Sequence, residues 1–144
     1  MTGPSLAAAL RACAAGLYSA EAAAELLIAT PWPCRHDFRG RFIRTGTSIT
    51  DGTTPMAVTD WAAAIAALSA GQLPCSAAER RLLHLAASLG DGIPVDLQDA
   101  LTSLDDVRLE LVTTAIRHAA GRRPATWNWL EETGQSRSFP LVSV

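Results

Sequence analysis

The chain has 144 residues, twelve basic residues against fourteen acidic ones, and a net charge of −2. This length suits one domain with room for a real core, and the balanced charge excludes a general attraction to nucleic acid or to an anionic membrane. Nearly half of the residues are hydrophobic, but many are alanine, which favours helix and adds little buried volume, so the core should be leucine-built with close helix contacts.

Ser5 precedes LAAALRACAAG, in which Leu6, Leu10, Cys13 and Leu17 recur at helical spacing and Gly16 can close the helix. The same stretch superficially suggests an export signal, but it lacks a basic start and Arg11 interrupts the apolar run, so it reads as helix. Ser19 supplies a second start signal. After it, Glu21 and Glu25 fall on one face and Leu26, Leu27 and Ile28 on the other, until Pro31 and Pro33 stop the helix. The two segments predict a helical hairpin.

Cys34–Arg44 is a basic island with Phe38 and Phe42 four apart, read as a short amphipathic helix broken near Gly40. The polar stretch 45–55 contains Asp51-Gly52, which predicts one small β-hairpin near 47–56, between SIT and TTP. Thr59 or Asp60 should cap the next helix, which carries Trp61, Ile65 and Leu68 on one stripe and ends at Gly71.

Ser76–Gly121 carries the clearest signals. Ser76 and Glu79 have capping-box spacing, Gly90 and Gly92 end the helix that follows, and Asp96 caps a short second helix. Asp105 and Asp106 open a third, which Gly121 closes. At about 100° per residue, Val107, Leu109, Leu111, Val112, Ala115, Ile116 and Ala119 fill one broad arc of this third helix. Beyond Gly121, Pro124 breaks the helix and Trp127-Asn128-Trp129 fits either a strand or a short helix. The predicted organisation is a single helical domain over 1–133 and a C-terminal tail over 134–144. No apolar run is long enough to span a bilayer.

Chemistry-bearing residues are sparse. Cys13, Cys34 and Cys75 are odd in number, far apart and form no CxxC pair, the pattern of reduced thiols in a cytoplasmic protein. Cys34 and His36, beside Asp37, offer one C-x-H, short of the paired spacing of a zinc site. No G-x-S-x-G elbow is present, and the GDG at 90–92 follows a helix where a phosphate cradle should follow a strand. Asp105-Asp106 and Glu131-Glu132 are adjacent and diverge on a helix, as solvated caps do. No catalytic constellation, metal site or cofactor is expected.

The order and lengths of the three helices in Ser76–Gly121, with IPV where a short first strand would lie and Arg122–Trp129 where a wing would begin, resemble the trihelical core of winged-helix regulators. The resemblance covers about a third of the chain, rests on pattern alone, and implies a recognition helix at Asp105–Ala120. That helix presents Asp105, Asp106 and Glu110 at the end that should meet bases, with Arg108 the sole donor there, while Arg117, Arg122 and Arg123 lie at the far end. The better basic candidate is the island of Arg35, Arg39, Arg41 and Arg44, interleaved with Phe38 and Phe42 beside Trp32. Exposed, those rings would stack single-stranded bases; docked in the core, they would leave the arginines solvated or paired with Glu21 and Glu25. Trp127 and Trp129 either fold back over the core or form a partner-binding spot.

Arginine replaces lysine throughout, the mark of GC-rich coding and of the alanine- and arginine-rich helical proteins of high-GC bacteria. The expectation is an all-α bundle of about six helices with short connections. Its leading function is a non-enzymatic protein-interaction or regulatory module with a protein partner or self-association. The alternative is a winged-helix-like DNA-binding regulator.

Overall fold

A computed structural model describes residues 5–102 and 104–122. Within them are seven α-helices: α1 (Leu6–Ala14), α2 (Tyr18–Ile28), α3 (His36–Phe42), α4 (Trp61–Ser69), α5 (Ala77–Asp91), α6 (Leu97–Leu101) and α7 (Asp106–Ala119). Strands β1 (Ile43–Thr47) and β2 (Pro55–Thr59) form an antiparallel pair between α3 and α4. The expected mainly helical fold with one small hairpin is what forms. No helix among the described residues is long and apolar enough to cross a membrane.

Polar side chains set the helix starts, because each start leaves backbone N–H groups without partners. Ser5, Asp60, Ser76, Asp96 and Asp105 accept from the backbone amides of Ala8, Ala63, Glu79, Asp99 and Arg108. The Ser76–Glu79 capping box closes in both directions. Asp60 rather than Thr59 caps α4, since Thr59 belongs to β2. α2 departs from expectation: it starts at Tyr18, before Ser19. Leu17 is its N-cap and no side chain caps the first turn, while the Glu21 carboxylate accepts from the Gly16 amide at 3.1 Å just ahead of the helix.

The hairpin forms further out than SIT and TTP. Ile43 pairs with Thr59 and Thr47 with Pro55, and residues 48–54 make the connection. Asp51 organises that loop by accepting from the amides of Thr53 and Thr54, both at 2.9 Å, and from the Thr54 hydroxyl. The Thr54 hydroxyl and these amides hold the Asp51 carboxyl down to about 2. Gly52, at φ +68°, supplies the left-handed turn. The strands thus begin where β-branched residues and a buried face start: Ile43, Ala57 and Thr59 point inward. Gly40 does not break α3, which runs through it and hands directly to β1.

Two apolar clusters make the core. The first gathers Leu10, Leu27, Trp32, Phe38, Phe42, Leu68, Leu73 and Leu83 with alanines of α1, α2 and α4. The second gathers Leu26, Leu82, Leu85, Val112 and alanines of α2, α5, α6 and α7. α2 serves both, with Ala24 and Leu27 toward one and Ala22 and Leu26 toward the other. It is therefore a central helix, buried on both sides, as well as the second half of the expected hairpin with α1. Its alanines let α5 and α7 approach closely. Trp61 packs against both clusters. Its indole lies on Gly90, where a Cβ would sit 2.5 Å from Trp61 Nε1. That approach explains a glycine inside a helix that otherwise prefers alanine by about 1 kcal/mol.

Candidate interaction surface

Ser76–Gly121 folds as the three helices its caps predict, but only part of the expected α7 arc is buried. Val112, Ala115 and His118 are buried, while Val107, Leu109 and Ile116 are 72, 43 and 46% exposed. The predicted arc spans about 200° at 100° per residue, wider than the neighbouring helices cover. α2 and α5 take its middle, around Val112 and Ala115, and leave Leu109 and Ile116 outside. Those two are seven residues apart, hence two turns along one side of the helix. On α6, Leu97 and Leu101 are 52 and 39% exposed and four apart, so they also share a side.

α7 is fixed in this rotation by a polar bridge. His118, 1% exposed, meets Glu21 of α2 through Nε2 and Oε1 at 2.8 Å. Tyr18 stands edge-on to the imidazole with centroids 5.8 Å apart. A buried polar group costs free energy unless it is partnered, so the Glu21 bridge disfavours rotations of α7 that would break it.

The charged candidates sort into two groups. On α7, Arg108 is held by Asp105 at 2.6 Å, and Asp106 and Glu110 stand exposed beside it. Arg117 and Arg122 are exposed at the other end. The basic island lies on α3 and β1. Arg35 forks onto Asp37 at 3.0 and 2.6 Å, donates to the Pro74 carbonyl and stacks 4.5 Å from the Trp32 ring. Arg41 bonds Gln72 and stacks 4.8 Å from Phe42, while Arg44 reaches Asp60 at 3.7 Å. Arg39 is exposed. Glu21 and Glu25 take other partners, His118 and Arg11. Phe38 and Phe42 are 0 and 4% exposed and form a ladder with Trp32 at 5.2 and 5.4 Å, so no base can stack on them. Arg123, Trp127 and Trp129 lie outside the described residues.

Cys34 and His36 are exposed, and the Arg35 guanidinium holds Asp37 below its usual carboxylate range. Among the described residues no three His, Cys, Asp or Glu side chains converge as a metal site would require. Burial pushes the Cys75 thiol up, with Glu79 adding to it, and burial with nearby Arg80 pushes the His84 imidazole down. No family model, no curated protein and no solved structure matches this chain.

Sequence reading missed Leu97, Leu101, Leu109 and Ile116 as surface residues. The usable signal was the width of the α7 arc, since an apolar stripe much wider than about 100° exceeds what one packed face needs.

Proposed function

We propose that this protein is a non-enzymatic interaction module of regulatory kind, and that it meets its partner with the outer sides of α6 and α7. One observation carries the reading: large apolar side chains stay exposed at regular helical spacing on α7 (Leu109, Ile116) and on α6 (Leu97, Leu101). Scattered single apolar residues are ordinary, but a regularly spaced set on two consecutive helices supports a docking role. Light scattering on the full chain tests it through self-association. The expected result is a mass that rises with concentration and returns to that of the monomer in Leu109→Asp/Ile116→Asp. A mass that stays monomeric, or one that rises equally in the double variant, overturns self-association through this face.

A winged-helix-like DNA-binding regulator is the second reading, supported by the helix order from Ser76 to Gly121 and by exposed Arg117 and Arg122. The exposed acids Asp106 and Glu110, and the pairing of Arg108 with Asp105, favour the first reading. Random duplex DNA at low ionic strength separates the two. Counterion release makes phosphate contacts strongest there, so a regulator would shift the duplex and lose it with added salt. The interaction reading predicts no shift.

A further inference from the structure

We propose a second site, a cleft of about 300 Å³ that binds a small alkylammonium cation, where five elements of the fold converge. Its floor is apolar and buried, built from Leu10 and Ala14 of α1 and Ala24 of α2. Trp61 walls one side, seated on Gly90, and Asp60 and Asp91 stand at its edge. No residue of α6 or α7 lines it, so it is independent of the surface proposed above. The volume lies at the small end of the range for ligand pockets.

The lining chemistry selects the charge of the occupant. Among the described residues, two carboxylates and no cation line the cleft. Asp60 caps α4 through the Ala63 amide and pairs with the 80% exposed Arg44 at 3.7 Å, so Asp91 carries most of the selection. The end of α5 adds the same sign, because the last carbonyls of a helix carry partial negative charge. Asp91 is the last residue of α5, and the last turn holds no basic residue. A carboxylate there opposes the helix dipole, and such a break of a local rule is expected where a ligand compensates it. An indole beside an ammonium group adds cation–π attraction, and the alanine floor accepts a short alkyl tail. Anions are repelled by the same lining. A neutral alcohol of equal size gains only the apolar part.

The test titrates the full chain with n-butylammonium and, separately, with 1-butanol, following the backbone amides of Asp60, Trp61, Gly90 and Asp91 by NMR. The expected result is saturable shifts at these amides with the amine, and affinity about tenfold weaker with the alcohol. Asp91→Asn is the decisive variant. Asp91 is exposed, and its replacement removes a like-signed charge from the helix end. Amine affinity should drop about tenfold while the melting temperature rises. A merely structural Asp91 would not move these two readouts in opposite directions. Absent shifts with saturating amine, equal binding of the alcohol, or unchanged affinity in Asp91→Asn would each overturn the site.

Discussion

α3 and α7 are both amphipathic helices with arginines on the polar side, and they use their apolar residues in opposite ways. α3 buries both phenylalanines it owns, and Arg35 and Arg41 of this region are engaged within the chain, by Asp37, Pro74 and Gln72. α7 buries Val112, Ala115 and His118 but leaves Val107, Leu109 and Ile116 in water. The lesson is that clustered charge was the less informative mark. The basic island packs its phenylalanines into the first cluster, while the helix with mixed charge leaves apolar side chains exposed.

Substitutions can break this contrast. The largest effect is expected at Phe38, which sits between Trp32 and Phe42 at full burial. Phe38→Ala should cost about 3–5 kcal/mol in urea unfolding, enough to threaten the fold. Next come two positions on one helix. Val112→Ala should cost about 2 kcal/mol, whereas Ile116→Ser should stay within about 0.5 kcal/mol and act instead on self-association. Equal costs at the two sites would mean that α7 is rotated from the orientation described.

Smaller still is the start of α7. Asp105→Ala removes the acceptor for the Arg108 amide and should lower stability by about 1 kcal/mol in the same assay. It also frees the Arg108 guanidinium, so any affinity for duplex DNA should rise.

The smallest effect is the α3 ion pair. Arg35 lowers the Asp37 carboxyl from its ordinary value of 3.8, chiefly through their side-chain hydrogen bond. A carboxyl depressed in the folded state adds stability that is present above its unfolded value and is lost as pH falls through the folded one. Carboxyl NMR should therefore find the Asp37 midpoint below 3.8 and find it raised again in Arg35→Gln. The pair is partly solvated, so the stability change should be barely measurable.

The helices were legible because their boundaries are written locally. Ser5, Ser76, Asp96 and Asp105 cap the elements that their positions announce, and Gly92 and Gly121 follow the ends of α5 and α7 in the left-handed conformation. The hairpin was legible as a turn at Asp51-Gly52, but its strands were hidden, since Arg44, Thr45 and Gly46 show no alternation of apolar and polar residues. Placement of the helices against one another was not legible. Nothing in AEAAAELLIA announces that its alanines would meet neighbours on both sides, because alanine is equally at home on exposed and buried helix faces. The candidate surface depended on that placement, since the same leucines and isoleucines read as core until α2 and α5 are seen to cover only the middle of the arc. Asp91 was readable as an acid near a helix end, but the cleft it borders requires five separated segments to meet.

The position of α2 between the two clusters has a consequence for how the chain is made. Leu26 leaves the ribosome early, whereas Val112 and Ala115, which complete the cluster around it, follow late. At ordinary synthesis rates the wait is on the order of several seconds. Leu83 of the first cluster and Leu82 and Leu85 of the second arrive together on α5, so it is the part of α2 that meets α7 that waits longest for its cover. The last helix thus finds its seat on α2 and α5 already made, and only the Val112 and Ala115 contacts wait for it.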